Sequence, residues 1–200
     1  MWEALHGRGR SCVPSVELTG LDGAGKTTIA KVIATRFGHE YRRVDAFHDH
    51  FERRMRGIES RLGPSAVLAA RAAAITIALL EEGTRRKGIN LISDRYIESA
   101  RMFWHVAGSG SPPTDVLGSL PQNDAVVLLD IPVDLAIQRA KASRFTDRTI
   151  ERIYLDECAD YLRTQAVSNG WIVVDARLPL EATTTEVARL LGLTEVAQSG

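Results

Sequence analysis

Short apolar runs alternate along the chain with longer stretches whose apolar positions recur at helical spacing. Val13–Thr19 reads as a strand, and Gly25–Phe37 as a helix with Ile29, Val32, Ile33 and Phe37 on one side. Tyr41–Phe47 predicts a second strand, followed by a charged, irregular stretch at 48–63. Ser65–Arg86 reads as a long helix, with Gly88 near the place expected for a glycine cap. Ile89–Ser93 is a buried strand, Ile97–Ala107 a helix, and Gly108–Asn123, rich in Gly, Ser and Pro, a loop. Ala125–Ile131 is the plainest strand. Val133–Ala142 is a helix, Ser143–Thr149 a basic connector, Ile150–Ser168 a helix, Trp171–Val174 a strand and Leu180–Leu191 a last helix.

Strands alternating with helices imply a parallel sheet, and runs such as Val126, Val127, Leu128 and Leu129 suit strands covered on both faces. The expectation is one α/β domain over residues 13–194, with 1–12 as a flexible lead-in. Ligands of such sheets bind at the carboxyl ends of the strands.

The segment Gly20, Leu21, Asp22, Gly23, Ala24, Gly25, Lys26, Thr27 fits G-x-x-x-x-G-K-[ST] between a strand and a helix. Glycines let backbone amides close on a polyphosphate, and the helix that follows adds its positive end. Lys26 reaches the β- and γ-phosphates, and the Thr27 hydroxyl ligates Mg²⁺. Thr28 extends the nucleotide-binding set, and ATP is the expected phosphoryl donor.

Asp94 and Arg95 follow an apolar strand at the same end of the sheet. Asp94 then supplies a Mg²⁺ contact, and Arg95 a bidentate clamp for an acceptor phosphate. The competing reading is a helix N-cap beside a surface arginine. Asp130 also ends a strand, and is read there as a structural cap or as a second candidate for the metal. Arg144 and Arg148 lie in the basic connector, a lid at about 143–149, where they close on the migrating phosphoryl group. Arg139 either stacks on adenine or is a surface helix arginine.

These blocks together resemble the thymidylate kinases. The resemblance rests on Glu17–Thr28, on Gly88 and Ser93-Asp94-Arg95-Tyr96 with Ser99, on Leu128-Leu129-Asp130-Ile131-Pro132 with Arg139, and on Trp171–Ala176. It implies a three-layer P-loop kinase fold with a five-stranded parallel sheet, ATP as donor, and a nucleoside monophosphate, dTMP or a related or modified nucleotide, as acceptor. It implies that Asp22 lies near the acceptor sugar and phosphate, that Arg71 holds the acceptor base or phosphate, and that Arg95 contacts its phosphate. Gly23 and Ala24 stand where some members carry a catalytic arginine, which transfers that role to Arg144 and Arg148. Asp45 and Phe47 fall where the family has an Arg-Glu-Pro-Gly-Gly run. Val67 stands where an aromatic usually stacks on thymine, Ala100 where a polar residue is expected, and Phe103 where a tyrosine is usual. The donor half matches the family, and the acceptor half, apart from the matching Ser99, is rebuilt.

Twenty-five basic side chains balance 25 acidic ones, which argues against a nucleic-acid-coating protein. Cys12 and Cys158 make neither a disulfide framework nor a metal-ligand spacing. No apolar run reaches bilayer length and no signal core opens the chain, so no membrane partner and a cytoplasmic address are expected. Ala66–Leu80 is apolar on more than one side, with Arg71 and Thr76 as its only polar offerings to water. A twofold homodimer follows, with burial inside a monomer as the alternative. His48-Asp49-His50 lacks a third ligand at fixed spacing and reads as a solvated loop, an acceptor contact or a metal site. Beside a kinase acting on a phosphate stand a kinase of the same fold acting on a hydroxyl, with Asp22, Asp45 or Asp49 as base, and a non-catalytic nucleotide-binding module.

Overall fold

The computed structural model describes residues 15–43, 61, 63–83, 90–108, 114–140 and 148–194. Within them the order is β1 (Val16–Gly20), α1 (Lys26–Phe37), β2 (Glu40–Arg43), α2 (Pro64–Gly83), β3 (Leu91–Asp94), α3 (Ile97–Val106) and α4 (Thr114–Gly118). There follow β4 (Ala125–Asp130), α5 (Val133–Arg139), α6 (Arg148–Asn169), β5 (Ile172–Asp175) and α7 (Leu180–Leu190). The five strands form one sheet in the order β2-β3-β1-β4-β5, and every pairing is parallel. Parallel strands need crossovers that pack on the faces, so the sheet is sealed on both sides. Val16, Leu18, Ile92, Val127 and Leu129 are wholly or nearly wholly buried at its centre.

Two glycines decide how closely the loop after β1 is drawn in. At Gly20 the φ is +140°, and a Cβ there would lie 2.6 Å from the Leu129 carbonyl oxygen. At Gly23 the φ is +88°, and a Cβ would lie 2.5 Å from the Ala136 carbonyl oxygen of α5. An L side chain fails at both on sterics and on backbone angle.

Several boundaries differ from the sequence reading. The expected loop 108–123 contains α4, a short helix whose Leu117 is fully buried and held in the core. Asp94 belongs to β3 itself, paired across from Leu18. Helix α5 ends at Arg139, not Ala142, because Ala140 adopts extended backbone with ψ of 128°. Arg148, expected in the connector, is the first residue of α6. The expected lead-in 1–12, with Cys12, and also Asp45, Phe47, His48-Asp49-His50 and Arg144, lie outside the described residues. Among the described residues no helix is long and apolar enough to cross a membrane.

Helix α2 corrects the expectation about its polar residues. Arg71 is 1% exposed and Thr76 8%, whereas Ile77 is 61% and Leu80 40% exposed. Thr76 turns inward because its hydroxyl donates to the Ala72 carbonyl at 2.9 Å and accepts from Trp104 Nε1 at 2.9 Å. Its hydrogen-bonding capacity is met inside the protein, so burial carries little penalty.

Candidate active site

The loop of residues 20–25 joins the carboxyl end of β1 to the amino end of α1. Lys26 is buried, and its ammonium donates to the Leu21 carbonyl at 2.6 Å, 3.8 Å from an Asp22 carboxylate oxygen. The lysine thus lies folded back along its own loop. Thr27, one residue into α1, donates its hydroxyl to Asp94 Oδ2. That contact joins α1 to the end of β3 and places a hydroxyl and a carboxylate oxygen side by side. A hard, oxygen-seeking cation such as Mg²⁺ takes this donor set, completing its shell with water and phosphate oxygens. The residues present therefore fit the ion.

Asp94 is 1% exposed, with two further partners on β2. Tyr41 donates its phenol to Asp94 Oδ2 at 3.4 Å, and Arg43 Nε lies 3.9 Å from the same oxygen. Burial, then the Asp94 charge, pushes the Tyr41 phenol up to about 12. These β2 partners were missed by sequence reasoning, because only strand order puts β2 beside β3.

Arg95 has a φ of 71°, the left-handed region, and is the one non-glycine residue among those described to do so. Its amide donates to the Leu18 carbonyl at 3.1 Å, and its guanidinium Nη2 donates to Asp22 Oδ1. Arg95 is 4% exposed, so it is neither a surface arginine nor a by-product of a cap. Asp94 does not cap α3 either. That task falls to Glu17 of β1, whose Oε1 accepts from the Tyr96 amide at 2.9 Å and the Ser99 amide at 3.2 Å, while Oε2 accepts from the Glu98 amide at 3.3 Å. Burial, then the charge of Glu98, raises the Glu17 carboxyl to about 7, against the opposing pull of those three amides. A charged residue inside an apolar strand was the visible signal for this role.

The structure thus gathers Asp22, Lys26, Thr27, Asp94 and Arg95 at one end of the sheet. Thr28 follows on the exposed side of α1. The expected acceptor residues on α2 and α3 sit in the interior. Val67, Arg71, Ser99 and Phe103 are all buried. Ser99 Oγ lies 3.3 Å from Thr19 Oγ1, and Phe103 stacks on Tyr154 with centroids 6.4 Å apart. Arg139 donates to the carbonyls of Ala176 at 2.7 Å and Arg177 at 3.1 Å, tying α5 to the turn after β5. Asp130 is no cap. Its Oδ1 accepts from Arg163 Nε at 3.0 Å, and α5 has Pro132 at its N-cap position with no side-chain cap.

A sequence model of the thymidylate kinase family matches residues 18–187. The chain is 26% identical over 190 residues to a probable thymidylate kinase of Archaeoglobus fulgidus, covering 88% of this chain and 93% of the relative. It is 24% identical over 182 residues to a probable thymidylate kinase of Pyrobaculum aerophilum, covering 88% and 95%. Among solved structures it resembles deoxyadenosine kinase from M. mycoides with bound dATP, with TM-score 0.63, 21% identity, and 89% and 99% coverage. The same enzyme with products dCMP and a flexible dCDP gives TM-score 0.65 at 20% identity, with 89% and 98% coverage. These structural likenesses are to the fold, a P-loop kinase sheet with helices on both faces.

Proposed function

This chain belongs to the thymidylate kinase family, and on that footing we propose that it moves the γ-phosphoryl group of Mg·ATP onto the phosphate of a nucleoside monophosphate, dTMP or a related or modified nucleotide. The observation that carries this reading is the meeting of the phosphate loop with the β3 end, where Thr27 bonds Asp94 and Asp22 bonds Arg95. Donor residues and an acceptor arginine thereby share one mouth.

In this reading the loop amides and Lys26 hold the β- and γ-phosphates, and Thr27 and Asp94 hold Mg²⁺. The ion, when bound, neutralises charge on the bridging and terminal oxygens. Arg95 receives the acceptor phosphate, exchanging Asp22 for it, and Asp22 is left beside the acceptor sugar. An acceptor phosphate oxygen bonds to the γ-phosphorus as the β,γ-bridge bond breaks, giving ADP and a nucleoside diphosphate. No strong base is required, since the acceptor is already anionic. This suits a site in which Asp22 is engaged by Arg95 and Lys26. Arg71 and the interior residues Val67, Ser99 and Phe103 border the acceptor once the α2–α3 region accommodates it. Asp45 and Phe47 join them from beyond β2. Arg144 and Arg148 add positive charge around the migrating group, and Arg139 lies at the adenine end.

The protein works in the cytoplasm, where its buried thiol Cys158 stays reduced. It pairs as a twofold dimer through the face of α2 that carries Ile77 and Leu80. ADP release measured over a panel of nucleoside monophosphates and nucleosides tests the proposal. Turnover on monophosphates supports it, turnover on nucleosides alone moves the acceptor to a hydroxyl, and ATP binding without turnover on any acceptor overturns it.

A further inference from the structure

Helix α3 begins at a residue that cannot cap it. Tyr96 occupies the N-cap position and makes no side-chain cap bond. The first amides of a helix need acceptors when buried. Here the acceptor comes from another strand, since the Glu17 carboxyl takes the amides of Tyr96, Glu98 and Ser99. Glu17 is fully buried. The residue just before this cap is Arg95, held at a φ of 71°. Left-handed backbone at a non-glycine residue is unfavourable by about 1 kcal/mol or more and persists only where its neighbours enforce it.

Two successive residues of β1 enforce it. The Leu18 carbonyl accepts from the Arg95 amide at 3.1 Å, and the Glu17 carboxyl accepts from the Tyr96 amide at 2.9 Å. The peptide on each side of the strained residue is therefore fixed to the strand that runs into the phosphate loop. The guanidinium of Arg95 reaches the same loop at Asp22. Backbone and side chain of Arg95 are registered against one rigid segment, β1 and the turn that follows it.

We propose that Glu17 is a positioning residue for phosphoryl transfer: by pinning the β3–α3 turn to β1, it holds Arg95 in the left-handed conformation from which the guanidinium meets the acceptor phosphate. This rests on the role proposed above for Arg95. Glu17 touches neither nucleotide. It acts on the fraction of molecules whose Arg95 is competent, and that fraction scales the apparent acceptor affinity. A conserved donor site with a weakened acceptor site is the signature.

The test is steady-state kinetics on Glu17→Leu, Glu17→Gln, Arg95→Ala and the double variant Glu17→Leu with Arg95→Ala. Glu17→Leu is expected to raise acceptor KM about tenfold, as if the competent turn fell to about a tenth of its population, with ATP KM within about twofold. Glu17→Gln keeps one oxygen for the Tyr96 and Ser99 amides and is expected to restore acceptor KM most of the way. In the Arg95→Ala background, Glu17→Leu should have no further effect on acceptor KM, since two residues acting through one contact are not additive. Additive effects, or equal losses in both KM values, overturn the proposal. If Arg95→Ala itself leaves acceptor KM unchanged, the role of Arg95 fails instead, which separates the two readings. Should Glu17→Leu not fold, amide exchange in the unaltered chain decides. Tyr96 must be protected like Arg95, and exchange at the rate of an open loop sinks the idea.

Discussion

Asp22 and Arg95 are 73 residues apart in sequence, yet the guanidinium of one donates to the carboxylate of the other at the mouth of the phosphate loop. In the proposed reaction the pair holds the acceptor-side arginine in place before any acceptor arrives. On that proposal an incoming phosphate competes with a carboxylate for the same guanidinium, so binding exchanges one charge-assisted contact for another. Arg95→Ala is therefore expected to raise acceptor KM about 10- to 100-fold, the range for losing a hydrogen bond to a charged group. ATP KM should change little. Initial rates with one substrate varied at a time check this, and an effect confined to ATP contradicts it.

Lys26→Ala removes the cation that the loop keeps beside Leu21 and Asp22. Turnover should fall about a hundredfold or more, as for other preorganised contacts to developing charge. Melting curves should stay near those of the unaltered chain in the absence of nucleotide. In its presence, the unaltered chain should gain stability that the variant does not. Arg148→Ala, by contrast, should spare ATP affinity and lower turnover. Unchanged turnover removes Arg148 from the set.

Gly23→Ala brings a Cβ to within 2.5 Å of the Ala136 carbonyl oxygen at a φ of +88°. Backbone lines both sides of the clash, so neither can yield cheaply. Loss of about 2 kcal/mol or more in denaturant unfolding is expected, with loss of ATP binding. Full nucleotide affinity in this variant contradicts the close approach of α5 to the loop.

The Glu17 carboxyl, raised from 4.5 to about 7, gives the stability a pH dependence of definite sign. Between those values the folded chain keeps a proton that the unfolded chain releases. Stability from this group is therefore fully present below pH 4.5 and is lost as pH rises through about 7. The whole effect is on the order of 3 kcal/mol, at about 1.4 kcal/mol for each pH unit of the shift. Urea midpoints for the unaltered chain and for Glu17→Gln, compared from about pH 5 to 8, should diverge with pH in that direction. Parallel curves contradict it.

Ile77 and Leu80 lie exposed on α2, 61% and 40% respectively. Glutamates at both positions should leave the fold within about 0.5 kcal/mol, as exposed substitutions do. They should also convert a dimer to the 21.9 kDa monomer in light scattering. A monomer before substitution rules out the dimer.

The phosphate loop was legible because its chemistry is local. Eight consecutive residues, Gly20–Thr27, carry their own spacing, and a strand before and a helix after are visible in periodicity. Asp94 and Arg95 were legible as a motif, but their partners were not. Nothing in the linear order says that Tyr41 and Arg43 approach Asp94, since that follows from β2 pairing with β3. Arg71 and Thr76 were misread because periodicity counts them as polar and sends them to water. The helix instead turns them inward, where Thr76 finds Ala72 and Trp104.

By itself the sequence determined a glycine-rich turn, followed by lysine and threonine, at the carboxyl edge of a parallel sheet, because that turn needs only its own neighbours to take shape. Only the tertiary structure decided that Thr27 meets Asp94, that Asp22 holds Arg95, and that Glu17 caps a helix 79 residues away. Those contacts depend on strand order and on burial. Burial makes an unpartnered polar group costly, so most interior polar groups find a partner, however distant in the chain.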